Sequence, residues 1–429
     1  MEHKKTVGYW SAVSIGIGGM VGGGIFAVLG LAVNLSHGGA PIAFIIAGLV
    51  ALVTAYSYSK LSVTFPSSGG TVEFLNLGLG TGILTGGLNI LLWISYVVML
   101  SLYSYAFGSY GATFFSESDQ TFWRHILTST VIISFTLLNF LSAKVVGKSE
   151  EVIVAIKIVI LTVFVAVGFW SVQFDKFEPS EWSPPITLIA GGMIIFLAYE
   201  GFELIANTAG DVKNPKKTLP RAFYTAVLFV IGLYVMVSIV TVGNLSVDKI
   251  VESQDFALAE SAKPFLGNVG FVIIAIAALL STGSAINATL YGASKISYII
   301  AKTGELPKYL EQKIWNRPIE GLIITSILTL VIANLFDLTS IAIMGSAGFL
   351  LIFAAVNFAN FRLHKKTHSR KWISLIGCIG CLIALGVLIL ESEITSPENI
   401  WILGTMIAVA FVIEIIYRKI SKREHKCGF

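Results

Sequence analysis

The sequence predicts an all-α integral membrane protein with twelve transmembrane helices. Hydrophobic residues make up 55% of its 429 residues, charged residues make up only 13%, and the mean hydropathy is +0.82. Because a soluble globular domain carries about 25% charged residues, this composition excludes that class. A stretch of about 20 apolar residues crosses the hydrocarbon core of a bilayer. The predicted spans cover residues 7–33, 40–64, 81–115, 122–143, 148–172, 185–210, 219–244, 266–296, 319–336, 338–361, 372–390 and 398–417.

The distribution of Lys and Arg predicts the orientation of these spans. With the amino terminus in the cytoplasm, 24 of the 29 basic residues fall in cytoplasmic segments, four fall in outer loops, and Lys157 falls inside a span. Because cytoplasmic loops are enriched in Lys and Arg, we expect both termini to be cytoplasmic and the protein to lie in the cell inner (cytoplasmic) membrane. The basic loops also account for the net charge of +4 without a nucleic-acid partner.

Residues that bind metals or cofactors form no recognisable pattern in the sequence. Cys378 and Cys381 lie in an apolar helix and Cys427 lies in the basic tail, so the Cys-x-x-Cys spacing has no second pair of ligands. A packing role is therefore favoured for this pair. We expect no metal, no cofactor and no enzymatic activity, because no catalytic cluster or nucleophile motif is present.

The first span contains an unusual number of glycines in its middle. Each interior Gly costs a helix about 1 kcal/mol relative to Ala, and each free backbone group in hydrocarbon costs several kcal/mol. We therefore expect an interrupted helix that faces a cavity, in which a bound solute satisfies the free backbone groups. The alternative is a helix whose small residues pack closely against a neighbour. The glycines are Gly16, Gly18, Gly19, Gly22, Gly23 and Gly24.

Span six is expected to be a second interrupted helix, because Glu200, Gly201 and Glu203 lie in mid-membrane. Many transporters consist of two inverted repeats whose first helices are broken. We therefore expect residues 1–429 to form a single membrane domain. Its parts are a first repeat of spans 1–5 (7–172), a second repeat of spans 6–10 (185–364), spans 11–12 (372–417) and a basic cytoplasmic tail (418–429).

Four motifs, in this order, resemble those of the amino acid–polyamine–organocation (APC) transporters. In the last of them, Lys295 stands where the family usually has Arg. The resemblance covers most of the chain and is closest to proton-coupled, broad-specificity amino acid permeases. It implies a LeuT-type 5+5 inverted repeat with discontinuous helices 1 and 6, plus two C-terminal helices, and transport by alternating access. The motifs are Gly22-Gly23-Gly24-Ile25-Phe26, Phe65-Pro66-Ser67-Ser68-Gly69-Gly70, Ala198-Tyr199-Glu200-Gly201-Phe202-Glu203 with Val212 to Ala222, and Ala293 to Pro307.

The resemblance also implies which backbone groups bind an amino acid. The free N–H groups of Gly23 and Gly24 would donate to its carboxylate at the positive end of a half-helix. Gly22 would let the ligand approach the backbone, because it has no side chain. The carbonyl groups expected to accept from the ammonium group are those of Gly19, Met20, Leu197 and Glu200.

Side chains beside the two interruptions are candidates for specificity. Phe196 and Tyr199 are expected to form an aromatic gate over the ligand, and the carbonyl group of Phe196 is a further candidate acceptor for the ammonium group. Trp93, Tyr96 and Met99 on span three are candidates for lining the pocket. The alternative for each of these large side chains is ordinary packing.

Lys157 is the candidate for proton coupling, because an ionisable group inside a membrane is a functional candidate by default. Some APC members place a lysine on span five where sodium-coupled relatives bind sodium, and Lys157 matches that position. The resemblance implies that it bridges carbonyl groups near Gly16 to Gly18 and a hydroxyl of Ser281, Thr282 or Ser284, which predicts proton symport without sodium. The alternative is a lysine whose head reaches the inner surface.

Three acidic residues complete the candidates. Glu203 is expected to anchor the loosened backbone of span six or to take part in proton movement. Glu200 has three open roles, namely contact with a cationic substrate, a pair with a lysine, or a protonated carboxyl. Glu414, near the end of span twelve, can reach the inner surface.

The sequence therefore predicts a proton-coupled amino acid symporter, and two alternatives of the same fold stay open. One is an exchanger of amino acids or amines, and the other is a polyamine or organic cation carrier that uses Glu200 as a counter-charge. A channel or a membrane enzyme is disfavoured, because no filter repeat or catalytic motif is present. The expected partners are a small-molecule amino acid, a proton and the lipid bilayer, and the oligomeric state is left open.

Overall fold

The computed structural model describes residues 6–67, 69–141, 146–307, 310 and 319–421. Within these residues the chain is helical, and its extended pairings are two isolated bridges. Ser68 of the second motif and the predicted tail beyond residue 421 lie outside the described residues. The α-helices are α1 (Tyr9–Met20), α2 (Gly24–Ser36), α3 (Ala40–Thr64), α4 (Gly70–Leu79), α5 (Ile83–Ala112), α6 (Gln120–Leu141), α7 (Val146–Gly168), α8 (Pro185–Ile194), α9 (Pro215–Asn244), α10 (Val247–Glu252), α11 (Ala257–Glu260), α12 (Lys263–Thr303), α13 (Ile319–Leu335), α14 (Leu338–Arg362), α15 (His364–Thr367), α16 (Lys371–Thr395) and α17 (Pro397–Ser421). The 3-10 helices are Glu117–Asp119, Phe169–Ser171, Phe174–Phe177, Pro179–Glu181, Phe196–Asp211 and Gln254–Phe256.

The lengths and composition of the helices confirm the predicted class of multi-pass, all-helical membrane protein. In the described part of the chain, nine helices are long and apolar enough to cross a membrane, and two bent pairs bring the count to eleven if each pair is one span. The first pair, α1 with α2, bends by 46°, and the second, α8 with Phe196–Asp211, bends by 41°. Helix α13 is also apolar but has only 17 residues.

The two bent pairs lie side by side and run in opposite directions. At one end, Val7 bridges to Val212, and Lys213 N donates to Val7 O at 2.9 Å. At the other end, His37 bridges to Trp182. The beginning of each pair therefore meets the end of the other.

The bend of the second pair lies at Ile195, and the segment after it is a 3-10 helix of 16 residues. Runs of 3-10 helix longer than three or four residues are uncommon, and they often mark a functional or strained site. Such a helix keeps its internal hydrogen bonds but is thinner than an α-helix. With three residues per turn, it places Glu200 and Glu203 one turn apart on the same side.

Helices α5 and α14 form the centre of the molecule, because most of their residues are buried. Helix α5 packs against α6, α12, α13, α14 and α17, and α3 packs against α9. Few of the described side chains of α7 are buried, so this helix lies at the periphery and presents one face to α1 and α12.

Candidate functional site

The first interruption separates α1 from α2 by a turn of three residues, and hydroxyl groups donate to three of the carbonyl groups there. Tyr234 OH, from α9, donates to Met20 O at 2.6 Å. Ser281 Oγ, from α12, lies 2.9 Å from Val21 O and also contacts Gly22 O. The backbone is therefore opened at the predicted place, and Met20 O, a predicted ligand acceptor, already receives one hydrogen bond.

Glycines allow the two bent pairs to cross in direct backbone contact. A Cβ atom on Gly19 would lie 2.8 Å from Gly201 O, and a Cβ atom on Gly24 would lie 2.8 Å from Ala198 Cβ. The interruption and the close packing are therefore both present at these glycines, whereas a bound solute that satisfies the free backbone groups stays a prediction.

Tyr103 is the aromatic side chain that covers the first interruption. A Cβ atom on Gly23 would overlap its ring, and the ring is only 1% exposed. Sequence reasoning missed this residue, although Tyr96 and Met99 on the same helix were candidates. Tyr103 follows them at a spacing of seven and four residues, so helical periodicity was the signal that could have found it.

The second interruption is held by Ser346 of α14. Ser346 Oγ donates to Ile194 O at 2.7 Å and accepts from Leu197 N at 3.1 Å. Leu197 and its neighbours are fully buried. Ser346 thus fastens both sides of the bend to the central helix, and sequence reasoning did not single it out.

Phe196 and Tyr199 pack into the surrounding helices. The rings of Phe196 and Phe353 lie 5.8 Å apart, and Tyr199 OH donates to Phe44 O at 3.0 Å. Tyr199 also packs on Tyr234, with ring centroids 5.2 Å apart. Their role as a gate stays a prediction.

The three candidates on span three have separate surroundings. Trp93 Nε1 donates to Thr325 Oγ1 at 3.0 Å, and Met99 is buried in the core with 1% exposure. The Tyr96 hydroxyl donates to a carboxylate oxygen of Glu203.

Glu203 is fully buried and accepts hydrogen bonds from three hydroxyl groups. Besides Tyr96, Tyr58 OH donates to its Oε2 at 3.0 Å and Thr71 Oγ1 donates to the same atom at 2.9 Å. These donors belong to α3, α4 and α5, so the carboxylate connects the second bent pair to three other helices.

Glu200 has a very different environment from Glu203. Its side chain is 3% exposed, yet its Oε2 atom has no hydrogen-bond partner within the part of the chain that the structure describes. It lies within electrostatic range of Glu203 and of Tyr103, the residue over the first interruption. A buried carboxyl group without a partner is costly.

Lys157 is placed against the first interruption. Its Nζ atom donates to Gly18 O at 3.4 Å, and its side chain is only 2% exposed. One turn earlier, Val154 packs on Gly18, where an added Cβ would lie 2.9 Å away. The ammonium group thus lies inside the bundle and beside the carbonyl groups named from the sequence.

The hydroxyl candidates on α12 divide into one that lies at the interruption and two that point elsewhere. Ser281 reaches the turn, whereas Thr282 Oγ1 donates within its own helix, to Ala278 O at 2.7 Å. Ser284 lines a cavity of about 720 Å³ between α5, α6, α7 and α12, together with Phe135 and other mainly apolar side chains. Helical rotation of about 100° per residue separates the three positions, so only one faces the turn.

Glu414 does not reach the inner surface. Its side chain is fully buried against Gly86, and its Oε1 accepts from Arg418 Nε at 2.9 Å. The prediction that this side chain can reach the inner surface was wrong, because α17 packs this face on α5.

Comparison with known proteins gives the same class of molecule. The family described as amino acid permease matches residues 7–412. The inner membrane transport protein YbaT of Escherichia coli is 35% identical over 417 residues, covering 97% of each chain. The protein MJ0609 of Methanocaldococcus jannaschii is 38% identical over 426 residues, covering 99% of this chain and 98% of its own. The methylthioribose transporter of Bacillus subtilis is 27% identical over 389 residues, covering 84% of this chain and 82% of its own.

The match extends over nearly the whole chain, including both bent pairs and the motifs quoted from the sequence. YbaT and the methylthioribose transporter are both named as transporters. The protein therefore belongs to the amino acid permease family of membrane transporters, as its resemblance to the APC transporters predicted.

Proposed function

We propose that this permease moves amino acids across the cytoplasmic membrane by proton symport with alternating access. The description of the family supports an amino acid as substrate, and the inner membrane relative supports the location. One relative is named for methylthioribose, so family membership alone leaves the substrate open. The substrate assignment therefore depends on the chemistry of the two interruptions.

The proposed topology has twelve spans with both termini in the cytoplasm. In this topology α13 is the ninth span, residues 7–172 and 185–364 are inverted repeats of the LeuT type, and residues 372–417 add two spans before the tail 418–429. The opposite directions of the two bent pairs support the inversion. The excess of Lys and Arg in the proposed inner segments supports the orientation.

The substrate carboxylate is proposed to bind at the beginning of α2. The first N–H groups of a helix have no partner within it and carry positive potential, and α2 begins at Gly24 directly after the turn. The ammonium group is proposed to bind at the carbonyl groups of the two interruptions, from Gly19, Met20, Leu197 and Glu200. Tyr103 covers this place, so the ring has to move before a ligand enters.

Lys157 is proposed to couple transport to protons, and its position is the observation that carries this proposal. The ammonium group lies 3.4 Å from Gly18 O and has almost no contact with solvent. A protonated amine there attracts the carbonyl ends of α1 as a bound cation would, and a neutral amine does not. Loss of the proton would therefore loosen α1 from α7.

Glu203 is proposed to anchor the second bent pair rather than to move protons. Its three hydroxyl donors come from three helices and satisfy both carboxylate oxygens. Such an arrangement holds the 3-10 segment Phe196–Asp211 in place against α3, α4 and α5.

Uptake by proteoliposomes tests the role of Lys157. We expect Lys157→Ala to abolish accumulation of amino acids driven by an inward pH gradient. Lys249→Ala is the matched control, because that lysine is exposed on an outer helix. Accumulation against a gradient by Lys157→Ala would contradict the role, and uptake by the wild type that requires amino acid inside the vesicles would favour an exchanger.

A further inference from the structure

Two carboxyl groups lie one turn apart on the 3-10 segment, and the structure satisfies only one of them. Glu203 accepts three hydrogen bonds, whereas Oε2 of Glu200 accepts none from the described residues, although the side chain is only 3% exposed. A buried carboxyl group without hydrogen bonds is found in a folded protein mainly where a proton, a cation or a ligand satisfies it.

Lys157, Glu200 and Glu203 are buried ionisable side chains on the two bent pairs or against them, and their full charges do not sum to zero. Lys157 supplies one positive charge, and Glu203 and Glu200 supply two negative charges when all three are ionised. A zwitterionic amino acid adds no net charge to this set. A substrate with one additional positive charge makes the sum zero.

Glu200 lies near the aromatic side chain that covers the first interruption. It interacts electrostatically with Tyr103, whose ring covers Gly23, and with Tyr96 two turns earlier on the same face of α5. The carbonyl groups of Met20 and Val21 already receive hydrogen bonds from hydroxyl groups. The free carboxylate oxygen is thus an acceptor that lies beside the proposed substrate site and is available to a cation.

We propose that Glu200 is the counter-charge for a cationic side chain of the substrate, so that the permease selects amino acids that carry an ammonium or guanidinium group beyond the α-carbon. This inference rests on the proposed function, because it places the ligand between the two interruptions. It adds the substrate class, which neither the family nor its relatives fix.

Matched pairs of ligands test this selectivity without any variant. Arginine and citrulline have nearly the same shape, but only arginine carries a guanidinium, and lysine and norleucine form a similar pair. We expect purified wild-type protein in proteoliposomes to bind the cationic member of each pair more tightly. Loss of one partner of a buried charge pair costs affinity on the order of 100-fold, which is the preference we expect.

Variants then assign the preference to one residue. We expect Glu200→Gln to lose the preference for arginine over citrulline, and Glu200→Asp, which keeps the charge, to recover part of it. Glu393→Gln is the control, because Glu393 is an exposed acid. Equal binding of arginine and citrulline by the wild type, or an unchanged preference in Glu200→Gln, would overturn the inference.

The failure of this inference is distinguishable from the failure of the proposed function. If neutral amino acids accumulate under a pH gradient and cationic ones have no advantage, the proposed function stands and Glu200 is not a selectivity residue. If no amino acid of either kind is bound or transported, the proposed function itself fails.

Discussion

Tyr103 lies directly over Gly23, at the turn where α2 begins, and its ring occupies the space that any side chain at position 23 would need. The ring belongs to α5, a central helix of the bundle, and it is buried among packed neighbours. In the proposed mechanism, a carboxylate that approaches the N–H groups of Gly23 and Gly24 must displace this ring. The contact between Tyr103 and Gly23 therefore both packs the first interruption and controls whether a substrate can reach it.

Replacement of Gly23 by Ala tests this relationship. We expect Gly23→Ala to lower the free energy of unfolding by about 1–3 kcal/mol, as for other overpacked cores, and to impair uptake of substrate. Thermal unfolding of the purified protein and uptake by proteoliposomes measure the two effects. Gly232→Ala is the control, because a Cβ there meets nothing within 4 Å, and it should be neutral or stabilising by up to about 1 kcal/mol. Equal stability of the two variants would contradict the prediction, because it would mean that the Tyr103 ring moves aside at no cost in free energy.

Ser281 gives a second prediction, with Ser284 as its internal control on the same helix. Ser281→Ala removes the hydroxyl that meets Val21 O and Gly22 O, and an unsatisfied buried acceptor costs about 1–3 kcal/mol. We expect a loss of thermal stability of this size together with slower uptake. Ser284→Ala removes a hydroxyl from the mainly apolar cavity and should change neither quantity by a comparable amount. A larger effect from Ser284→Ala would contradict the assignment of Ser281 to the turn.

The sequence predicted the class of fold well because bilayer thickness and hydrophobicity leave little choice. The range predicted for the second span, 40–64, is the range of α3. The interruption of the first span was also predictable, because several glycines within an apolar run are costly unless they have a local purpose.

The contacts of the site were less predictable, because they depend on helix rotation and on partners distant in the chain. Ser281 and Thr282 are adjacent hydroxyl residues, and only their rotation about α12 decides which one faces the turn. Tyr234 and Ser346 are hydroxyl residues within apolar sequence, of which the chain has many. Nothing in the local sequence indicates that they satisfy backbone groups more than 140 residues away.

Glu305 gives a pH-dependent prediction at the end of α12. Burial raises the pKa of Glu305 to about 7, although hydrogen bonds from Asn89 and Thr303 oppose the shift. Between pH 4.5, the ordinary pKa of a glutamate, and about pH 7, the Glu305 carboxyl group is therefore protonated in the folded protein and ionised in the unfolded chain. Stability should fall as pH rises through this window, by about 3 kcal/mol, and stay constant above it.

The variant Glu305→Gln isolates this contribution from the other titrating groups. Glutamine stays neutral, so the stability of the variant relative to the wild type should rise as pH increases from about 4.5 to about 7. Thermal unfolding of both proteins across this range measures the difference. Glu393→Gln, at an exposed acid, should follow the wild type at every pH. A difference between wild type and Glu305→Gln that does not change with pH would contradict the assigned titration.

The central claim is that protons, and not sodium ions, drive amino acid uptake through the two interrupted helices. The most direct measurement is uptake of labelled amino acids by proteoliposomes of the wild-type protein, with a pH gradient and a sodium gradient imposed separately. The account predicts accumulation with an inward proton gradient in the absence of sodium, and no added accumulation with a sodium gradient at equal pH. Accumulation that follows the sodium gradient and ignores the pH gradient would contradict it.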